Sequence, residues 1–179
     1  CAIVTTPEIA ERLGKRDIVT VKALQLAVSN GEEAQFHSWD GASIRTAEVA
    51  AQRAYREAGI TDPRAALDLI EVHDCFSITE LVLMENLGLS DPGRAPYDIL
   101  EGRYDRDGAI PCQVDGGLKC FGHPIGASGL RMVYEIYLQV LGRAGERQLP
   151  KADIGLTQNL GGHPHQNVCA VSIIGRLGA

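Results

Sequence analysis

Apolar positions along this chain follow two rhythms, one repeating about every second residue and one about every 3.6 residues, and each rhythm predicts its own elements. Cys1-Ala-Ile-Val-Thr-Thr predicts a buried strand. Thr6-Pro7-Glu8 then combines an N-cap, a proline at the first helical position and an early acid, predicting a short helix that stops at Gly14. Ile18 to Val28, rich in Val, Leu and Ala, predicts a longer strand. Asn30-Gly31 reads as a turn, and 31–41 as a polar loop holding Trp39. Ser43 to Ala58 predicts an Ala-rich helix ended by Gly59, with Asp62-Pro63 beyond it.

The second half continues the alternation. Leu67 to Val72 predicts a strand that delivers His73-Asp74-Cys75-Phe76 at its C-terminal end. Ser77-x-x-Glu80 has the form of a capping box for a helix reaching about Leu87. Residues 88–109 are rich in Gly, Pro and charge and predict a long surface loop. Ile110 to Val114 reads as a short strand leading into Gly116-Gly117. A helix from Gly129 places Leu130, Val133, Tyr134, Tyr137 and Leu141 on one stripe to be packed against a sheet. Ile154 to Gln158 and Val168 to Ile174 predict two strands joined by Asn159-Leu160-Gly161-Gly162-His163-Pro164-His165. Strands alternating with helices argue an α/β layered fold.

Composition narrows the function classes. A chain of 179 residues, 45% hydrophobic, can build one well-buried core. Its 17 basic and 23 acidic residues give a net charge of −6 with no basic block, which argues against nucleic acid as a partner. The apolar runs fall short of the ~18–20 residues a membrane-spanning helix needs, and no signal-peptide pattern opens the chain. Five cysteines, odd in number and without C-x-x-C spacing, argue for a reducing cytoplasm over a disulfide framework. The sequence opens Cys-Ala-Ile-Val with no initiator Met, which reads as a piece of a longer protein.

Three segments place reactive side chains just past a predicted strand, where open α/β sheets put their sites. In His73-Asp74-Cys75-Phe76 the thiol precedes a predicted helix, whose N-terminal dipole favours thiolate; the alternative is a small buried Cys75 and a satisfied core histidine at His73. In the run from Gly116 to Gly129, five glycines surround His123-Pro124. They let the backbone approach a ligand closely and fix an imidazole suited to a general base or an oxyanion donor. A structural glycine turn would explain the glycines but not the histidine. In Asn159 to His165, Gly161-Gly162 between two strands could expose N–H groups to an oxyanion; an ordinary hairpin connection is the alternative. Cys120-x-x-His123 and His163-x-His165 could be written as zinc ligands, but paired knuckles are absent, so no metal is expected.

Taken together the sequence resembles the thiolase superfamily, and within it the sterol-carrier-protein-2 type. The resemblance rests on His-Asp-Cys-Phe (73–76), Gly-Gly-Leu…Gly-His-Pro-Ile-Gly-Ala-Ser-Gly (116–129) and Asn-Leu-Gly-Gly (159–162), supported by Ala-Tyr-Arg-Glu-Ala-Gly-Ile (54–60) and Gly-Glu-Arg-Gln (145–148). It runs over essentially the whole chain.

The resemblance implies a thiolase-like layered fold with a mixed five-stranded sheet. Residues 1–30 would be the end of an N-terminal thiolase domain and a crossover strand, and 31–179 the C-terminal domain. His123 matches the histidine that activates the nucleophilic cysteine and helps hold the thioester oxygen. His73 stands where many thiolases have an Asn that positions a water. Cys75 matches the acid/base cysteine of this subfamily. Asn159, Gly161 and Gly162, with Gly122 and Phe121 beside the catalytic histidine, are the implied substrate-binding positions.

The implied activity is acyltransfer: thiolytic cleavage of 3-ketoacyl-CoA or Claisen condensation of acyl-CoA. CoA would be the cosubstrate and no cofactor would be covalently bound. A retro-aldolase acting on β-hydroxyacyl-CoA and a non-catalytic acyl-CoA-binding or scaffold subunit are the alternatives. Implied partners are the missing N-terminal half, a second copy in a homodimer, and a zinc-ribbon/OB-fold protein of the DUF35 type. Two departures stand out. Gln158 or Asn159 occupies the region where most thiolases carry a second cysteine, and none of the five cysteines lies in the nucleophile motif. His163-Pro164-His165 after the glycines is also unusual, and would shape the pocket for a bulkier acyl group.

Overall fold

The computed structural model describes residues 2–30, 42–163 and 166–178. The turn and polar loop expected at 31–41 lie outside these. The elements follow one another as α1 (Pro7–Arg12), β1 (Val19–Val28), α2 (Arg45–Ala58), α3 (Pro63–Ala66), β2 (Leu69–Glu71), α4 (Ser77–Asn86), α5 (Ala95–Leu100), α6 (Gly117–Phe121), α7 (Ser128–Val140), β3 (Ile154–His163) and β4 (Gln166–Arg176). Local chemistry sets several boundaries. Thr6 caps α1, Asp62 caps α3 ahead of Pro63, and Gly59, left-handed at φ 72°, ends α2.

The strands form one mixed sheet in the order β1-β4-β3-β2; β2 runs parallel to β3, and the other pairs are antiparallel. Among the described residues the sheet has four strands rather than the five expected. Residues 110–114 make only a bridge from Cys112 to Ile70, because the backbone turns out of extended conformation at Gln113, whose φ is 54°. Residues 2–6 form no strand and are exposed, since no described strand pairs with them.

Alternation along the strands builds two cores, one on each face. Ile70, Leu156, Val171 and Ile173 pack with Ala47, Ala50, Ala51 and Ala54 of α2 and Leu83 and Met84 of α4. Leu69 and Ile174, one step out of phase, pack with Ile136 and Val140 of α7. Gly155 sits where α7 presses on β3: a Cβ there would lie 2.9 Å from Ile136 Cγ2 and 3.0 Å from Leu69 Cδ2. Among the described residues no helix is long and apolar enough to cross a membrane.

Three further expectations are corrected. Ser77 is the first residue of α4 rather than its cap; Phe76 takes the cap position without a side-chain bond, and Glu80 turns instead to Lys119 and Cys112. The 88–109 segment is not a plain surface loop. It contains α5, and its Ser90, Asp98 and Tyr104 form a buried hydrogen-bonded cluster. The apolar stripe on α7 is rotated. Met132, Glu135, Ile136, Gln139 and Val140 are buried, while Leu130 and Tyr134 are more than half exposed. Two polar residues can take core positions because their bonds are satisfied: Gln139 Nε2 donates to Glu135 at 3.0 Å, Arg147 pairs with Glu135 at 2.8 Å, and Gln139 Oε1 accepts from Leu149 N–H at 2.9 Å.

Candidate functional site

The parallel pairing of β2 with β3 sets Glu71 opposite Thr157, so the chain leaving β2 passes beside Gln158. Gln158 uses both ends of its amide there: its oxygen accepts the His73 N–H at 3.1 Å and its nitrogen donates to Cys169 Sγ at 3.2 Å. From the other side Gln113 Nε2 donates to the Val72 carbonyl at 2.6 Å, while Gln113 N–H donates to Ile70 O at 3.0 Å. His73 and Asp74 are therefore held buried, and the next two residues, Cys75 and Phe76, emerge into solvent. The Cys75 thiol faces Thr79 Oγ1 at 3.6 Å. Its exposure sets aside the reading of Cys75 as a core filler.

The second segment is fixed to the first by Asp74. One carboxylate oxygen accepts the Leu118 N–H at 2.8 Å and the other the Lys119 N–H at 3.4 Å, so Asp74 serves the free amides at the start of α6. Lys119 Nζ lies 3.9 Å from Asp74 and 2.5 Å from Glu80. Asp115 accepts the Gly117 N–H at 2.9 Å and pairs with Arg131, which also reaches the fully buried Glu71 at 3.2 Å and lies over the Phe121 ring at 5.3 Å. Burial, then the nearby Asp115 charge, pushes the Glu71 carboxyl well above the ordinary range, against the pull of Arg131. Gly122, left-handed at φ 77°, ends α6 and turns the chain into His123.

His123 is exposed and anchored at Nδ1, which lies 2.7 Å from Ser128 Oγ. The Ser128 hydroxyl has a second acceptor in the Pro124 carbonyl at 3.3 Å. When its proton goes there, Nδ1 is the donor and Nε2 carries the free lone pair. The His123 and His73 rings meet edge to face, centroids 4.9 Å apart and planes at 82°. Burial, reinforced by the nearby His123, pushes the His73 imidazole below its ordinary value, so His73 is held neutral beside its neighbour.

The third segment is part of a long hairpin rather than a turn: Asn159, Gly161 and Gly162 continue β3 and pair with Ala170, Val168 and Asn167. Asn159 lies beneath the first turn of α7, where a Cβ on Gly129 would stand 3.4 Å from its amide. Gly161 and Gly162 are exposed farther along the ladder, and Gly162 is left-handed at φ 101°. Thus His73 and His123 touch, Cys75 leaves the same loop as His73, Phe121 and Gly122 immediately precede His123, and Asn159 supports the helix that follows it. Asp74, Gln113, Ser128 and Gln158 hold this arrangement and drew no role from sequence. Among the described residues no three His, Cys, Asp or Glu side chains gather into a metal site.

Comparison with known proteins agrees with this architecture. Residues 27–175 match the family model described as thiolase C-terminal domain-like. The acetyl-CoA acetyltransferase of Methanocaldococcus jannaschii is 38% identical over 158 residues, 85% of this chain and 39% of that protein. That of Methanothermobacter thermautotrophicus is 42% identical over 113 residues, 63% of this chain and 29% of its own length. Sterol carrier protein 2 of Rattus norvegicus is 34% identical over 164 residues, 89% of this chain and 29% of its own length. The chain thus spans well under half of each of these relatives.

Among solved structures, an Ltp2-ChsH2(DUF35) aldolase superposes with a TM-score of 0.73 at 18% identity, covering 91% of this chain and 41% of that one. The Bacillus anthracis acetyl-CoA acetyltransferase gives 0.60 at 15% identity, covering 96% and 34%. At such identities these likenesses speak to the fold alone. The family match covers most of the chain: the protein belongs to the thiolase C-terminal domain-like family.

Proposed function

We propose that this chain is the C-terminal catalytic half of an acyl-CoA acyltransferase of the thiolase kind, using CoA as cosubstrate. The observation that supports it is the contact between His73 and His123, with Nδ1 of His123 anchored on Ser128. An imidazole fixed at one nitrogen presents the other to a substrate as a base.

In this reading His123 Nε2 takes the proton of a nucleophilic thiol supplied by another segment, since none of the five cysteines here lies in the nucleophile motif. The thiolate adds to the β-keto carbonyl, the Cα–Cβ bond breaks, and its electron pair leaves as the enolate of acyl-CoA. Cys75 returns a proton to the α-carbon. The acyl group then passes to the sulfur of CoA, whose proton goes to the Cys75 thiolate, while His123 returns its proton to the released cysteine. Neutral His73 adds an N–H toward the developing oxyanion without setting a second positive charge beside His123. Asn159, Gly161, Gly162, Phe121 and Gly122 would border the acyl chain and thioester. The N-terminal half, a second copy of the chain and a DUF35-type protein are the partners that go with this reading, in a reducing cytoplasm.

Gln158, fully buried in the region where most thiolases carry a second cysteine, favours a second reading: retro-aldol cleavage of a β-hydroxyacyl-CoA without an acyl-enzyme. The test incubates the full-length protein with a 3-ketoacyl-CoA and, separately, with a 3-hydroxyacyl-CoA, following products and intact protein mass. Cleavage of the keto substrate with a transient acyl adduct on a cysteine supports the acyltransferase. Cleavage of only the hydroxy substrate, with no adduct, replaces it by the aldolase. Turnover of neither leaves acyl-CoA binding or scaffolding.

A further inference from the structure

We propose that Asp74 is a positioning residue that sets His123 against His73. The inference rests on the reading of the two histidines given above, but its geometry is independent of any substrate. Asp74 is 2% exposed and accepts from two successive backbone amides of α6, Leu118 at 2.8 Å and Lys119 at 3.4 Å. It follows His73 directly in sequence, and α6 leads through Gly122 into His123. One carboxylate thus ties the loop carrying the first imidazole to the helix that delivers the second.

The fit around the clamp is close. A Cβ on Gly117, which is left-handed at φ 63°, would lie 2.5 Å from Asp74 Oδ2 and 2.8 Å from Gln113 Nε2, so the first turn of α6 lodges between two side chains. Gln113 holds the Val72 carbonyl at 2.6 Å from its own strained, left-handed backbone. Both side chains therefore grip the end of β2 and the start of α6 together. Lys119, 3.9 Å from Asp74 and 2.5 Å from Glu80, extends the same tie to α4, the helix that follows Cys75. A carboxylate shared among amides and an ammonium in a buried site is a rigid link, and misplacing a general base by about 1 Å is enough to cost about 10²-fold in rate.

The test compares Asp74→Ala, Asp74→Asn and Gly117→Ala in the full-length protein. It follows kcat and KM with the acyl-CoA substrate, thermal midpoint, and residue-resolved carbethoxylation of His73 and His123 by diethyl pyrocarbonate. Wild-type His73 should be protected and His123 reactive. The proposal expects Asp74→Ala and Gly117→Ala to lower kcat about 10-fold to 10²-fold with KM little changed, and to make His73 reactive, at temperatures where the proteins remain folded. Asp74→Asn, which keeps an oxygen for the Leu118 N–H, should recover part of both. Loss of thermal stability alone, with kcat and His73 protection unchanged, overturns it. So does an Asn variant as impaired as Ala. If wild type turns over no acyl-CoA, the functional reading fails, and His73 protection in the three variants still decides the clamp.

Discussion

The imidazole of His73 meets that of His123 edge to face, ring centroids 4.9 Å apart, although fifty positions separate them in the chain. Neither ring finds the other by local preference. His73 is placed by a parallel strand pairing and the Gln158 amide, and His123 by a short helix that Asp74 caps and by the Ser128 hydroxyl. Each arm rests on hydrogen bonds to buried side chains, which gives the pair a fixed separation.

The buried state of His73 predicts an acid limit to stability. Burial first, then His123, pushes its folded value below the ordinary 6.5, so the unfolded chain binds a proton that the folded chain resists. The contribution is complete above pH 6.5 and is lost as pH falls from there toward the folded value. Urea midpoints should drop between pH 7.5 and 5.5 in wild type and drop less in a His73→Gln variant. Equal slopes in the two proteins would contradict the assignment.

The four described cysteines should divide by reactivity. Cys75 and Cys120 are exposed, whereas Cys169 is buried with its thiol pushed up to about 11, and burial raises Cys112 well above the ordinary range. Iodoacetamide at pH 8, read by peptide mass, should alkylate Cys75 and Cys120 and leave Cys169 and Cys112 protected until the protein is unfolded. Rapid modification of Cys169 in the native state would contradict the packing of β4.

Gly155 tests how closely α7 lies on the sheet. An Ala Cβ there would approach Ile136 to 2.9 Å and Leu69 to 3.0 Å, so Gly155→Ala should destabilise by about 1–3 kcal/mol through overpacking. A denaturant midpoint unchanged from wild type would show that the interface is looser than described.

Much of the fold was legible in the sequence because its signals are local. The Thr6-Pro7 start, the Gly59 stop and the strands at 18–28 and 67–72 each announce themselves within a few residues. Two of the differences share a cause: a distant partner changes what a local pattern means. The Ser77/Glu80 box fails because Lys119, 39 positions away, takes Glu80. The α7 stripe turns because Glu135 and Gln139 look like surface residues until the 145–149 segment satisfies them. The candidate site was legible as motifs, and the structure brings His73 and His123 of two of them into contact. Asp74 lies inside the His-Asp-Cys-Phe segment with no readable role of its own, since a cap on a helix 44 residues away leaves no spacing to read.

The central claim is that His123 and Cys75 act on one acyl-CoA in one reaction. A double-mutant cycle on kcat/KM in the full-length protein, with His123→Ala, Cys75→Ser and the pair, measures it directly. Each single change should lower the rate by about 10² or more, and the double should fall little below the worse single, as for groups that work as a unit. Losses that multiply, or singles that leave turnover intact, would place the two side chains in separate roles and contradict the account.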